Sequence, residues 1–136
     1  MNTPLNIVLF TADYAFSEIL KRILEQSHLH YHMSVVGSFA DANKLSSKDK
    51  IHLILVDDLI IGTSSYELVA YIRQKKKIIC PLIYFGTSEH QGEKKALMSG
   101  ANCFINKPFN PTDVANCIKK HVEPKPPTSW KKFYYS

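Results

Sequence analysis

Glycine is scarce, with five residues in 136, and none of it clusters into a phosphate-cradling loop. The segment after the first apolar run, Thr11-Ala-Asp-Tyr-Ala15, has no glycine and one aliphatic hydroxyl. This argues against a flavin site, which needs a Ser/Thr/Gly-rich phosphate loop there. Cysteine is equally sparse. Cys80, Cys103 and Cys117 are odd in number, far apart in sequence and contain no Cys-x-x-Cys, so neither a zinc ribbon nor a dithiol redox motif is indicated. They read as reduced thiols of a cytoplasmic protein, with Cys80 and Cys103 expected to be buried in strands. No apolar run approaches the roughly eighteen residues of a membrane span. The opening Met1-Asn-Thr-Pro-Leu5 lacks a basic segment and reads as the lead into a strand rather than a signal peptide.

Acidic residues are the minority charge, 12 against 17 Lys and Arg, for a net charge of +5. The basic excess is scattered over Lys75–Lys77, Lys94-Lys95, Lys119-Lys120 and Lys131-Lys132. A spread of this kind is a solvated surface, and nucleic acid is not an expected partner. His28, His30 and His32 alternate, but with no fourth ligand nearby they read as turn and strand residues rather than a zinc site. No nucleophile–His–acid set is evident, so an enzyme is not expected.

What is present is a regular alternation. Residues 5–10 are β-rich, and residues 14–26 carry Phe16, Ile19, Leu20, Ile23 and Leu24 at helical spacing, with Asp13 placed to cap that helix. A second strand over 32–36 ends at Gly37. A short helix through Leu45 follows, with Ser38 or Asp41 as its cap. Residues 51–56 form a third strand and 66–75 a helix after the loop Gly62-Thr-Ser-Ser65. Residues 78–85 form a fourth strand, 90–99 a helix stopped by Gly100, and 102–105 a fifth strand. Asn110-Pro111 opens a last helix. Five strands and five helices in alternation, with strands apolar on both faces, predict an α/β fold. Its expected form is a flavodoxin-like, doubly wound, five-stranded parallel sheet in a three-layer sandwich. Ligands of such sheets bind at the carboxyl ends of the strands. Thr11, Asp57, Gly86-Thr87 and Lys107 all fall at those ends.

Three segments carry a family resemblance. They are Leu53-Ile-Leu-Val-Asp57 with Gly62 five residues on; Pro81-Leu-Ile-Tyr-Phe85 followed by Gly86-Thr87; and Ser99-Gly-Ala-Asn-Cys-Phe104-Ile-Asn-Lys107-Pro-Phe109. Over roughly residues 5–122 the chain resembles a response-regulator receiver domain of the CheY-like type. The resemblance implies that Asp57 accepts a phosphoryl group, that Lys107 pairs with it, and that Phe104 is the aromatic that turns with activation. The hydroxyl that normally contacts the phosphoryl group falls at Gly86, with Thr87 one residue later as the substitute.

The resemblance also exposes a departure. Mg²⁺ wants one or two carboxylates besides phosphate oxygens. The family places two acids after the first strand, where this chain has Thr11 and Ala12. Asp57 remains as a metal ligand, so Mg²⁺ binding is expected to be weak and phosphotransfer to depend on it less. Asp58 follows the acceptor and, by strand alternation, is expected to point to the other face. Ile61 stands where the family usually has a loop proline. The implied partners are a sensor histidine kinase or phosphotransfer protein, a downstream protein met through residues 86–121, and a second copy of the chain as a further candidate. The alternative is a pseudo-receiver that binds partners without phosphorylation. Residues 123–136, proline-rich and then aromatic and basic, read as a tail or truncated linker.

Overall fold

The computed structural model describes residues 3–123. Of the tail expected over 123–136, all but Glu123 lies outside the described residues. The elements follow in the order β1 (Leu5–Phe10), α1 (Tyr14–Gln26), β2 (Tyr31–Val36), β3 (Leu53–Asp57), α2 (Ser65–Gln74), β4 (Leu82–Gly86), α3 (Gly92–Ser99), β5 (Cys103–Asn106) and α4 (Pro111–Val122). All strand pairs are parallel, in the order β2-β1-β3-β4-β5.

Alternation along the strands builds two cores. Ile7, Leu9, Leu53, Leu55, Ile83 and Phe85 face α1 and α4, where Phe16, Leu20, Ile23, Leu24, Val114 and Ile118 meet them. Val8, Phe10, Ile54, Val56, Leu82 and Tyr84 face the other way, against Leu68, Val69, Ile72 and Ala96 of α2 and α3. The central strands are thus apolar on both faces because both faces are covered. Each fully buried Leu or Ile contributes on the order of 2 kcal/mol, set against the entropy of ordering it.

Local signals start α1, α2 and α4 and stop α3 as expected. Asp13 accepts the Phe16 amide at 3.3 Å, Ser64 the Glu67 amide at 3.2 Å, and Asn110 the Thr112 amide at 2.8 Å. Gly100 closes α3 with φ +126°, a conformation that side chains resist. A Cβ there would also press on Arg73 Cγ, at 2.6 Å.

Four α-helices are present among the described residues, not five. The region after Gly37 forms only a 3₁₀ turn, Ala40–Lys44, and no side chain caps it. Ser38 instead donates to the Asp41 carboxylate at 3.1 Å, so neither expected cap reaches a backbone amide. The fourth strand begins at Leu82 rather than at 78, because the segment ahead of it is pulled into loop geometry: Ile79 is 91% exposed, and Arg73 holds the Ile78 and Cys80 carbonyls at 2.9 and 2.7 Å. The helix expected from residue 90 starts at Gly92, since His90 and Gln91 both take positive φ, 54° and 61°. Cys80 and Cys103 are half-buried rather than buried; Cys80 precedes β4, and Cys103 lies on the edge strand β5. No described helix is long and apolar enough to cross a membrane.

Candidate functional site

The strand ends bring Asp57 and Lys107 together. Asp57 is the last residue of β3 and is fully buried. Lys107 follows β5 directly, its backbone amide fixed to the Gly86 carbonyl at 2.8 Å. Its ammonium makes a close ion pair with Asp57 Oδ1 and a second with Asp58 Oδ1 at 2.8 Å. Beneath it lies the face of Phe16, with Nζ 4.7 Å from the ring centre. This favours the cation through the ring's negative face. Phe16 is held in turn by edge contacts with Phe85 and Phe109, at 5.2 and 6.0 Å. The Lys107-Pro108 bond is cis.

Thr11 closes the other side. Its hydroxyl donates to Asp57 Oδ2 at 2.6 Å and accepts the Asp13 amide at 3.0 Å. The side chain is buried at the end of β1 and carries no charge. Ala12 is held by its amide, which donates to the Leu59 carbonyl at 2.8 Å. From below, the Ser65 hydroxyl donates to the Asp57 carbonyl at 2.7 Å and ties the first residue of α2 to the strand end. Both carboxylate oxygens of Asp57 are therefore engaged, one by an ammonium and one by a hydroxyl.

Electrostatics follow from burial. Burial pushes the Asp57 carboxyl above its ordinary range, although hydrogen bonds from Lys107 and Thr11 favour its charged form. Burial acts to lower the Lys107 ammonium, but the combined hydrogen bonds and charges of Asp57 and Asp58 outweigh it and hold Lys107 above its usual value.

Asp58 corrects an expectation. The strand ends at Asp57, so alternation no longer dictates the next side chain. The Asp58 amide donates to the Phe85 carbonyl at 3.0 Å, and its carboxylate reaches the same lysine as Asp57. Thr87 is exposed, and no hydrogen bond links it to Asp57 or Lys107 among the described residues.

Gly86 has a steric reason to lack a side chain. A Cβ there would sit 2.8 Å from the Tyr84 ring and 3.4 Å from Phe104. Tyr84 is almost wholly buried between Tyr66 and Phe104, nearly parallel to each at 5.1 and 6.0 Å. Burial, reinforced by Tyr66, raises its phenol far above the ordinary range. Phe104 is half-buried and rests on this stack. Sequence reasoning missed Tyr66 and Tyr84; an aromatic two residues before Gly86 on the same strand face was the available signal.

The acids nearest Thr11 are otherwise occupied. Asp13 caps α1, and Asp41 pairs with Lys44 at 3.6 Å and accepts from Ser38. No group of three His, Cys, Asp or Glu among the described residues is arranged to hold a metal ion. Of the three alternating histidines, His28 takes a positive φ of 58° past α1 and only His32 lies within β2.

Comparison with known proteins agrees with this geometry. The response regulator receiver domain family matches residues 7–119. Transcriptional regulatory protein YvrH of Bacillus subtilis is 25% identical over 119 residues, covering 87% of this chain and 49% of that protein. Transcriptional regulatory protein CrdR of Helicobacter pylori is 28% identical over 121 residues, covering 88% and 56%. The chain thus spans about half the length of these relatives. Among solved structures, the receiver domain of a Pseudomonas aeruginosa sensor histidine kinase, with magnesium in its active-site cleft, superposes with a TM-score of 0.74 at 18% identity, covering 90% of this chain and all of that one. A response-regulator structure from Chloroflexus aurantiacus gives 0.77 at 21% identity, covering 90% of this chain and all of that one. At these identities the structures speak for the fold alone. With strand order, site geometry and family match in agreement, the chain belongs to the receiver domains of two-component response regulators.

Proposed function

We propose that this receiver accepts a phosphoryl group on Asp57 and does so with little dependence on Mg²⁺. The observation that carries the reading is the closed Thr11–Asp57–Lys107 bridge at the carboxyl edge of the sheet. Asp57 would attack the phosphorus of a phosphohistidine or small phosphodonor. One Asp57 oxygen forms the new O–P bond, the donor's P–N or P–O bond breaks, and the leaving group keeps that electron pair and takes up a proton. Lys107 lies over the buried carboxylate, so it must move for the donor to enter. Asp58 offers it a second anchor at 2.8 Å. Lys107 then meets the developing negative charge on the phosphoryl oxygens, and Thr11 steadies the remaining carboxyl oxygen through its hydroxyl.

The donor set does not fit Mg²⁺. One or two carboxylates with free oxygens are needed, whereas Asp57 is capped on both oxygens and Asp58 is paired with Lys107. Thr11 and Ala12 supply no charge where the resemblance expects acids. The chain is accordingly an atypical receiver. Lys107 supplies positive charge at the site and Asp58 opposes it, so transfer should be slow.

The donor would be a sensor histidine kinase or phosphotransfer protein, in the cytoplasm. Output would pass through residues 86–121, where Met98 is 77% and Leu97 44% exposed on α3, a surface suited to protein contact. Intact-mass measurement after incubation with a small phosphodonor or cognate kinase tests the reading. One phosphoryl adduct is expected on the wild type and none on Asp57→Asn. An adduct that survives Asp57→Asn contradicts the site. No adduct with any donor favours a protein-interaction module that works without phosphorylation.

A further inference from the structure

Two of the three cysteines meet on the side of the molecule that carries α4. Cys103 enters from the edge strand β5, and Cys117 descends from α4. Their sulfurs are 3.0 Å apart, and both residues are half-buried. The separation is built by the fold rather than by a flexible loop, because Val114 and Ile118 flank Cys117 on α4 and are fully buried. The His121 ring, one turn on, lies 3.8 Å from the Cys117 sulfur through Nδ1 and stays within 2.8 Å of the Cys117 carbonyl. Cys80 takes no part; it sits among the carbonyls gathered by Arg73, before β4.

We infer that Cys103 and Cys117 form a modification site: a reversible intramolecular disulfide that ties α4 to β5 when the protein meets a hydroperoxide. The chemistry balances with hydrogen peroxide as the oxidant. One thiol sulfur attacks the peroxide O–O bond, becomes a sulfenic acid and releases one water. The second thiol attacks that sulfur, forms the S–S bond and expels a second water, which carries away the remaining thiol proton. Burial, with Cys103 beside it, pushes the Cys117 thiol up to about 12, so little of it is thiolate near neutral pH and the reaction should be slow. The bond would fasten α4 one residue away from Phe104 and four from Lys107, beside the residues that the phosphoryl site uses. The pairing itself does not depend on phosphorylation.

The test uses the full chain, reduced and then exposed to hydrogen peroxide, with remaining thiols alkylated before peptide mass mapping. The expected product is a Cys103–Cys117 cross-linked peptide with Cys80 alkylated. It should be reversed by dithiothreitol, present in Cys80→Ser, and absent in Cys103→Ser and Cys117→Ser. The cross-linked form should also melt at a higher temperature than the reduced form. Pairing through Cys80, oxygen addition to separate cysteines without a cross-link, or no reaction would overturn the inference. A cross-linked form that melts no higher than the reduced one would overturn the claim that the native packing already accommodates the bond. Mapping of the wild type needs no variant, so a variant that failed to fold would not blunt the result.

Discussion

The two ends of the sheet each hold a half-buried cation between strands and helices, and they use it in opposite ways. At the amino ends of β4 and β5, Arg73 of α2 donates to the carbonyls of Ile78, Cys80 and Gly100 and to the side-chain oxygen of Asn102, at 2.7 to 2.9 Å. Asn102 passes the arrangement on by accepting the Leu82 amide at 2.8 Å. Every partner is neutral and none can react. At the carboxyl ends, Lys107 meets Asp57 and Asp58, two charged groups, one of them fully buried. Burial raises the Asp57 carboxyl despite its partners. The first arrangement is a staple. The second stores a desolvation cost, as a group kept ready for chemistry commonly does.

The comparison can be broken most forcefully at the staple. Arg73→Ala strands several carbonyls that cannot change their charge to compensate. It should destabilise the fold by about 3 kcal/mol at any pH at which the native state persists. Denaturant unfolding checks this, and a loss under about 1 kcal/mol would mean that water replaces the guanidinium freely.

Lys107→Met should cost less, about 2 kcal/mol near neutral pH, because Asp57 can escape by taking a proton. Its deficit should shrink in acid, where Asp57 is neutral in both proteins. A pH-independent deficit would mean that packing of the lysine stem, not its charge, is what was lost.

Gly86→Ser tests the aromatic stack beside the site. The new Cβ meets the Tyr84 ring at 2.8 Å, so a loss of roughly 1–2 kcal/mol is expected. The Tyr84 ring should shift as well, seen as a changed tyrosine environment in near-ultraviolet circular dichroism. An unperturbed spectrum with full stability would show that the ring yields without strain.

The smallest effect should be a gain. The native Asp57 carboxyl lies above its unfolded value, so its ionisation opposes folding. That penalty is absent below the unfolded value and fully present above the native one. Asp57→Asn should therefore slightly stabilise the protein at neutral pH, with the gain closing as pH falls into the acid range. Thermal melts at several pH values measure it, and a destabilised variant at neutral pH would show that the Lys107 pair outweighs the burial.

Much of this contrast was legible in the sequence, and the limits have physical causes. Apolar runs and capping residues located all five strands and the site's Asp57 and Lys107, because both lie where strands end. Asp13 was readable as a cap from its place ahead of a helical stripe. The short element after Gly37 was not, because Ser38 satisfies Asp41 rather than a backbone amide, and such side-chain competition leaves no periodic trace. Asp58 was misdirected by extending strand alternation one residue too far. The Cys103–Cys117 contact was hidden because the two lie on different elements, brought together only by the fold. Thr11 could be named as a departure from the family pattern, but its 2.6 Å hydrogen bond to Asp57 needed coordinates.

The most direct measurement is the rate of Asp57 phosphorylation from one small phosphodonor, with saturating Mg²⁺ and with a chelator in its place, followed by intact mass. The closed Thr11–Asp57–Lys107 bridge predicts a slow rate that changes by less than about threefold between the two conditions. A rate that falls a hundredfold or more when the metal is removed would contradict it, and would mean that Asp57 recruits Mg²⁺ without the acidic pair.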